Sequence, residues 1–312
     1  MLQRTLHNPI KIRGTGLHSG KQILVQLMPA PPDTGIIFRR SDLPDSSPIP
    51  AKAANVIDTT LSTTLGNRDE DTRIGTVEHL LSACAGLGMD NLFIDVDGPE
   101  LPIMDGSASP FIFHMQSAGI ALQGREKKFI RINKTIEVRS GDIWARISPH
   151  EGFRVCYTLL YDHPVLQRYA STVEVDFSTT TFVKEISRAR TFGFAQDLQR
   201  LTQQNLALGA SERNAIAVGD TGINNPEGLR SDREFAMHKI LDCIGDLYLL
   251  GHNMIGQFEG YKSGHTINNA LLLKLVEEDA FEIISFEDER GCPISLSRGF
   301  GGETRANAAL AI

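Results

Sequence analysis

The sequence predicts an α+β protein made of two similar domains, each of which pairs helices with a small β-sheet. Three observations support this prediction. The 312 residues are enough for about two domains of roughly 150 residues each. Segments with strand-like alternation recur between helical patterns along the whole chain. The pattern H-x4-C-x-G also occurs in two helical segments, from His79 and again from His238, which suggests an internal duplication of strand–helix–strand units.

Composition and charge narrow the class of protein. With 41% hydrophobic and 22% charged residues, the chain resembles an ordinary folded protein with sizeable cores. The formal net charge of −7 argues against general nucleic-acid binding, and nothing in the sequence implies a protein partner. Four scattered cysteines without a C-x-x-C pair favour a reduced, intracellular environment. Since the sequence has neither a signal-peptide core nor about 20 consecutive apolar residues, we expect no transmembrane segment and a cytoplasmic location.

The first elements are predicted to be strands. Residues 3–12 and 22–28 alternate in hydrophobicity and are joined by the Gly-rich turn G-T-G-L-H-S-G-K. This turn does not match a Walker phosphate-binding motif, because Thr15 stands where the motif needs Gly and Gln22 where it needs Ser or Thr. The proline-rich stretch from Pro29 to Pro50 is predicted to be mostly loop, apart from a short strand at G-I-I-F-R-R.

The first His-bearing helix is predicted over V-E-H-L-L-S-A-C-A-G-L-G. Thr76 is the expected N-cap, and Gly86 or Gly88 is expected to end the helix. Glu78 and His79 are neighbours in its first turn. The helix therefore carries a carboxylate and an imidazole at its start.

A strand at N-L-F-I-D-V-D-G follows, and then Ser109 and Pro110 open another predicted helix. The segment G-R-E-K-K at residues 124–128 interrupts the apolar pattern and predicts a domain boundary, after which F-I-R-I-N-K-T-I-E-V is predicted to be a strand. The expected units are an N-terminal domain at 1–125, a C-terminal domain at 129–288 with a helical insert at about 193–212, and a tail at 289–312.

The second His-bearing helix is predicted over S-D-R-E-F-A-M-H-K-I-L-D-C-I-G-D. Ser231 and Glu234 have the spacing of a capping box at its start. His238 and Asp242 are four residues apart and therefore share a helix face, with Asp246 one turn further along on roughly the same side. A lone His-x-x-x-Asp pair is usually a solvated helix face, so the metal hypothesis depends on the other His-bearing helix.

If the two helices pack together in the cleft between the domains, they bring His79, His238 and Asp242 into one site. Two nitrogens and one oxygen leave a fourth tetrahedral position open, which is typical of a catalytic zinc site. Glu78, beside a ligand, can then accept a proton from water. The zinc-peptidase spacings H-E-x-x-H and H-x-x-E-H do not occur at these histidines. Cys84 is predicted to point into the core instead of toward the metal.

Five motifs together closely resemble one known family. They are T-V-E-H, P-I-M-D-G-S-A-S-P-F, S-R-A-R-T-F-G-F, H-K-I-L-D-C-I-G-D and Y-K-S-G-H-T-I-N-N, and the resemblance runs from Arg4 to about Glu287. The family is the UDP-3-O-acyl-N-acetylglucosamine deacetylases, zinc amidases that commit Gram-negative bacteria to the lipid A of lipopolysaccharide. The tail from Gly291 onward matches nothing in that family.

The resemblance implies a fold of two α/β sandwich domains with the active site in the cleft between them. It implies zinc-dependent hydrolysis of the N-acetyl group of UDP-3-O-(3-hydroxyacyl)-N-acetylglucosamine, a UDP-linked acylated aminosugar, with release of acetate. Iron(II) can also occupy a nitrogen and oxygen ligand set of this kind.

The resemblance also implies roles for residues around the three metal ligands. Glu78 corresponds to the general base that activates water. His265 corresponds to the general acid for the leaving amine, with Asp246 holding its imidazolium form. Thr191 and Lys239 correspond to groups that stabilise the oxyanion.

Substrate contacts follow from the same resemblance. Lys262 would meet the diphosphate, and Tyr161 would lie near the uridine. Phe192, Phe194 and the 196–208 insert would form the passage for the acyl chain.

Two other functions remain open at the level of sequence. The chain could be a zinc amidase or esterase for a different acylated substrate, which would use the same ligands without the acyl passage. It could also be a non-catalytic protein with structural zinc. The polar residues Glu78, Lys239 and His265, predicted to surround an open coordination position, argue against the structural alternative.

Overall fold

A computed structural model of the chain describes residues 1–67 and 72–296. Of the predicted C-terminal tail, residues 297–312 lie outside the described residues. The helices are α1 Glu78–Leu87, α2 Ser109–Ala118, α3 Thr179–Thr181, α4 Leu198–Gln203, α5 Glu234–Leu247 and α6 His265–Glu277. A π-helical turn at Phe182–Ile186 continues α3. Helices and several β-sheets occur together, which confirms the α+β class.

The first half of the chain contains ten strands. They are β1 Leu2–Leu6, β2 Ile10–Thr15, β3 Gln22–Pro29, β4 Ile36–Arg40, β5 Ile49–Pro50, β6 Val56–Asp58, β7 Thr64–Asn67, β8 Thr72–Ile74, β9 Leu92–Val96 and β10 Ile120–Glu126. A five-stranded sheet has the order β2-β3-β9-β4-β5, β6-β7-β8 form a second sheet, and β1 pairs with β10. On β3 the side chains of Ile23, Val25 and Leu27 alternate into the core, as a sheet with one buried face requires.

The second half contains nine strands. They are β11 Lys128–Ile132, β12 Ile136–Ser140, β13 Ile143–Ser148, β14 Phe153–Thr158, β15 Thr172–Asp176, β16 Phe192–Phe194, β17 Ile216–Val218, β18 Asn253–Tyr261 and β19 Phe281–Ser285. β18 is the centre of a seven-stranded sheet. It pairs with β11 at its start and with β13 and β14 further along, while α6 packs against β12 and β13.

Strand pairing within the described ranges stays inside residues 1–126 or inside residues 128–285. This separation supports the two-domain division, whose boundaries remain a prediction. None of the helices in the described part of the chain is both long and apolar enough to span a membrane.

The two His-bearing helices pack against each other, and glycine permits their close approach. A Cβ added at Gly245 would lie 2.0 Å from the carbonyl oxygen of Glu78, so only glycine allows α5 to come this near to α1. The cysteines of the repeated H-x4-C-x-G pattern, Cys84 and Cys243, are fully buried in the core. Of the two glycines in the repeated pattern, Gly245 lies against α1 while Gly86 lies against Phe182. Cys84 is part of the core, as predicted.

Some predicted boundaries are wrong. The strand predicted at 3–12 is two strands, β1 and β2, with a break that contains Pro9, which has no N–H to donate to a strand ladder. The strand predicted at F-I-R-I-N-K-T-I-E-V is likewise divided into β11 and β12. In contrast, α1 ends as predicted at Gly88, whose φ of 63° is the left-handed conformation that favours glycine.

The two predicted N-caps are also wrong. Val77 is the residue that precedes α1, and Thr76 has a positive φ of 56°. α5 begins at Glu234 and not directly after Ser231. The Glu234 carboxylate is buried and binds the guanidinium of Arg190 at 2.9 Å, so it does not take part in a capping box.

Candidate metal centre and catalytic pocket

Three side chains from the two packed helices converge on one point. His79 comes from the first turn of α1, and His238 and Asp242 come from α5. Their ligand atoms lie within 4.8 Å of one another. Oδ1 of Asp242 is 3.4 Å from Nε2 of His79 and 3.3 Å from Nε2 of His238. All three residues are buried, and they are the three that the sequence predicted as ligands.

The donor atoms of this cluster fit a metal cation. Oδ1 of Asp242 is buried and has no hydrogen-bond donor among the described residues, while Oδ2 accepts a hydrogen bond from Nζ of Lys239 at 2.8 Å. Nδ1 of His238 donates to the carbonyl oxygen of Ala189 at 3.0 Å, which leaves the Nε2 lone pair free. Two imidazole nitrogens and a carboxylate oxygen are ligands that suit zinc or iron(II).

The electrostatics keep two of these ligands in the form that binds metal. Burial lowers the pKa of His238 to about 3, so its imidazole is neutral at physiological pH. Burial by itself would raise the pKa of Asp242, but His238 and Lys239 outweigh it and hold that pKa well below its usual value. A neutral imidazole and an ionised carboxylate are the protonation states that metal binding requires.

Glu78 lies beside the metal ligands. Its Oε2 accepts a hydrogen bond from the backbone N–H of Thr63 at 3.0 Å. Burial raises the pKa of Glu78, because the ionised carboxylate loses its hydration, and the nearby His265 and His79 offset only part of this effect. A carboxylate with a raised pKa is a stronger proton acceptor near neutral pH.

His265 and Asp246 form a hydrogen-bonded pair of an imidazole and a carboxylate. Nδ1 of His265 is 2.9 Å from Oδ2 of Asp246. Burial disfavours the imidazolium, but the charge of Asp246 and its hydrogen bond outweigh burial and raise the pKa of His265 to about 9. His265 therefore carries a proton that it can donate at neutral pH. Asp246 is held in turn by the Thr63 hydroxyl at 2.6 Å and the Asn268 amide at 2.9 Å.

A cavity of about 170 Å³ joins these groups. The predicted site residues that line it are Glu78, His79, Tyr161, Thr191, Phe192, His238, Lys239, Asp242 and His265. Asp246 lies behind His265, with which it forms the hydrogen bond. Lys262 is not among the lining residues, and its ammonium pairs with Asp142 at 2.5 Å.

An apolar cavity of about 510 Å³ adjoins the first one. Leu17, Leu61, Tyr161, Thr191 and Phe192 line both cavities. Phe194 and the α4 residues Leu198 and Leu201 line only the apolar cavity, whereas Leu206 does not line it. The helical insert predicted between strands is present, with α4 lying between β16 and β17.

The sequence did not predict two residues at the site, one that lines the pocket and one that lies behind it. Leu61 forms part of the wall of both cavities, and Thr63 contacts Glu78, Asp246 and His265. Both belong to T-T-L-S-T-T-L, which contains no charged residue, no histidine and no helical periodicity. Only their positions in the folded chain reveal them.

The chain is similar to the proteins of one known family. The profile of the LpxC family, described as UDP-3-O-acyl N-acetylglycosamine deacetylase, matches residues 3–277. The UDP-3-O-acyl-N-acetylglucosamine deacetylases of Pseudomonas entomophila (strain L48) and Methylococcus capsulatus (strain ATCC 33009 / NCIMB 11132 / Bath) are each 56% identical to the chain over 297 residues. Those residues cover 95% of this chain and 97% of each relative.

A third relative of the same name, from Thioalkalivibrio sulfidiphilus (strain HL-EbGR7), is 55% identical over 298 residues, again covering 95% of this chain and 97% of the relative. The resemblance seen in the motifs is thereby confirmed. Since the profile match spans most of the chain, and each relative shares more than half of its aligned residues over nearly its full length, the chain belongs to the LpxC family.

Proposed function

We propose that this chain catalyses the zinc-dependent hydrolysis of the N-acetyl group of UDP-3-O-(3-hydroxyacyl)-N-acetylglucosamine, the committed step of lipid A synthesis. One observation carries the proposal. Three buried ligands converge beside a cavity, and the same cavity is lined by a carboxylate of raised pKa and a protonated imidazole. The names of the relatives supply the substrate.

His79, His238 and Asp242 would hold the metal. A zinc ion bound there supplies Lewis acidity, which lowers the pKa of water toward about 7 and polarises a carbonyl. The oxygen of a water molecule attacks the acetyl carbon, and Glu78 accepts the proton that this water loses. His265 donates a proton to the sugar nitrogen as the C–N bond breaks, so that the amine leaves neutral and acetate is released.

Thr191 and Lys239 are suited to stabilise the oxyanion of the tetrahedral intermediate. Both line the cavity. Burial by itself would lower the pKa of Lys239, but Asp242 outweighs it and the pKa of the ammonium is raised. A fixed positive charge beside the reacting carbonyl stabilises negative charge that develops there.

The remaining parts of the substrate occupy the surroundings of the metal cavity in this proposal. The acyl chain occupies the apolar cavity along Phe192, Phe194 and α4. Tyr161 lies at the junction of the two cavities and contacts the uridine side. Lys262 meets the diphosphate, for which it has to exchange its pairing with Asp142. The cytoplasmic location and the choice of zinc over iron(II) belong to the same proposal.

Two features argue against the alternatives. A structural zinc site is closed by four protein ligands, whereas these three ligands lie beside a cavity that also holds Glu78 and His265. The apolar cavity next to the metal cluster argues against an amidase or esterase that lacks an acyl passage.

Acetate release from the UDP-linked acyl sugar tests the proposal. We expect release by the purified protein, loss of release after treatment with a chelator, and recovery on adding zinc or iron(II). Free N-acetylglucosamine serves as the comparison and should react far more slowly. Equal rates on both sugars would indicate a general amidase, and activity that persists after verified metal removal would exclude the metal mechanism.

A further inference from the structure

Thr63 forms hydrogen bonds with its N–H, its carbonyl oxygen and its hydroxyl, and most of these bonds are to residues of the catalytic site. It immediately precedes β7 and is only 2% exposed. Its N–H donates to Oε2 of Glu78 at 3.0 Å, and its carbonyl oxygen accepts from the N–H of Val77 at 3.2 Å. Its hydroxyl donates to Oδ1 of Asp246 at 2.6 Å and lies 3.1 Å from Nδ1 of His265. One residue thus contacts the general base, the general acid and the carboxylate that supports the acid.

The chemistry of these contacts assigns the protons. A hydroxyl has a single hydrogen, and the short contact with Asp246 takes it, because an ionised carboxylate can only accept. Oγ1 of Thr63 therefore presents a lone pair to His265, so Nδ1 of that ring is the donor. Its N–H is shared between Thr63 and Oδ2 of Asp246. Nδ1 keeps its hydrogen in both protonation states, and Nε2 is the nitrogen that gives up its proton.

The backbone of Thr63 acts on the other side of the site. Its N–H occupies Oε2 of Glu78, which leaves Oε1 as the carboxylate oxygen without this hydrogen bond. This contact does not depend on the side chain at position 63. Substitution can therefore remove the link to the acid while the link to the base stays in place.

We propose that Thr63 is a positioning residue that fixes the positions of the general acid and the general base relative to each other. Its hydroxyl fixes the Asp246–His265 pair, and its peptide N–H orients Glu78. This inference rests on the proposed function, from which those two roles are taken. Thr63 is absent from the residues that line the metal cavity, so it acts through its neighbours and not by touching substrate.

Variants at position 63 test the hydroxyl. Thr63→Val and Thr63→Ala remove it, whereas Thr63→Ser keeps it. We expect kcat to fall by about 10- to 100-fold in the valine and alanine variants, as is typical when a buried hydrogen bond to a charged group is lost. KM and metal content should stay near the wild-type values. The serine variant should recover most of kcat.

Thr179→Val is the matched control. It also deletes a buried threonine hydroxyl, one that donates to the carbonyl oxygen of Gly86 at 2.7 Å and not to the Asp246–His265 pair. We expect it to lower the unfolding temperature without lowering kcat. If this control loses kcat as far as Thr63→Val, the effect is structural and the proposal fails.

Three further results would overturn the role of Thr63. They are wild-type kcat in both Thr63→Val and Thr63→Ala, a serine variant as slow as the valine variant, and loss of metal in parallel with kcat. Nitrogen NMR of the histidine rings tests the proton assignment without any activity. Above about pH 9 the neutral ring of His265, identified by its absence in His265→Gln, should carry its proton on Nδ1.

A proton on Nε2 would refute the inference even in an active enzyme. Wild-type protein that releases no acetate would instead refute the proposed function, so the two failures are distinguishable.

Discussion

The two carboxylate oxygens of Asp242 have different surroundings. Oδ2 is satisfied by the ammonium of Lys239, while Oδ1 lies between two imidazole nitrogens without a hydrogen-bond donor among the described residues. Leaving a buried charged oxygen without a partner is costly. A metal cation at this point would satisfy the oxygen and both nitrogens together, which makes the ligand set the first feature to test.

We predict that His79→Ala and His238→Ala each remove metal and acetate release together, because each substitution deletes one of three ligands. Metal analysis of the purified variants, beside the rate of acetate release, measures both. His114→Ala is the control, since His114 lies on α2 and is not part of the cluster. Full zinc occupancy in either ligand variant would show that the cluster is not the metal site.

The pH dependence of the reaction follows from His265. Its pKa of about 9 means that the acid is protonated below pH 9 and loses its proton above it, so kcat/KM should fall on the basic side near pH 9. Asp246→Asn removes the charge that opposes burial. The pKa of His265 should then drop and the basic limb should move to lower pH.

Rates of wild type and Asp246→Asn measured from pH 5 to pH 10 check this prediction. Glu78→Gln, which removes the base, should abolish the acidic limb and lower kcat/KM by about 100-fold or more. A basic limb that stays in place in Asp246→Asn would mean that another group provides the proton.

The ligand residues could be predicted from the sequence, because metal-ligating residue types occur there at a spacing that places them on one face of a helix. His238 and Asp242 share a helix face, and the recurrence of H-x4-C-x-G points to His79 as the missing ligand. Thr63 and Leu61 could not be predicted in this way. Threonine and leucine are common in any fold, and these two are brought to the site by tertiary contacts alone.

At the level of elements, the metal site depends on how closely α1 and α5 approach. Gly245→Ala would place a methyl group 2.0 Å from the carbonyl oxygen of Glu78 and force the helices apart. Alanine favours a helix by up to about 1 kcal/mol over glycine, but overpacking costs about 1–3 kcal/mol. We therefore predict lower stability, weaker metal binding and a lower rate.

Urea unfolding, metal affinity and acetate release measure these three effects. Gly124→Ala is the control, because a methyl group there meets no atom within 4 Å. A Gly245→Ala protein with wild-type metal affinity would show that α1 and α5 can move apart at this contact without disturbing the metal site.

The interiors of the elements could be predicted from periodicity, but several of their ends could not. Ser231 and Glu234 have the spacing of a capping box, yet Glu234 is buried and paired with Arg190. That partner lies 44 residues away in sequence, so no local pattern contains it. The break between β1 and β2, by contrast, has a local cause, because Pro9 has no N–H to donate to a strand ladder and so could have been predicted to interrupt the strand.

At the scale of the whole molecule, the two halves of the chain contribute different residues to one site. α1 supplies His79 and Glu78 from the first half, while α5 and α6 supply His238, Asp242 and His265 from the second. Neither half contains a complete site. Both halves also line the apolar cavity beside the metal cluster, since Leu17 and Leu61 line it together with Phe194 and α4.

The acyl chain of the substrate should therefore contribute to the rate through this apolar cavity, although it takes no part in the reaction at the amide. Burying each methylene contributes about 0.8 kcal/mol, or roughly fourfold. Shortening the chain by several methylenes should then lower kcat/KM by orders of magnitude, because remote binding energy positions the amide. We predict a flatter chain-length dependence in Phe194→Ala and Leu198→Ala, whose side chains line the cavity.

Kinetics with two chain lengths on wild type and variants measure this dependence. Phe177→Ala is the matched control, because Phe177 is buried against Phe153 and Phe182 and does not line the apolar cavity. It should lower stability while the ratio of rates between the long and short substrates stays as in wild type. If Phe194→Ala and Leu198→Ala also keep the wild-type ratio, these side chains do not hold the acyl chain, and the metal site is unaffected by that result.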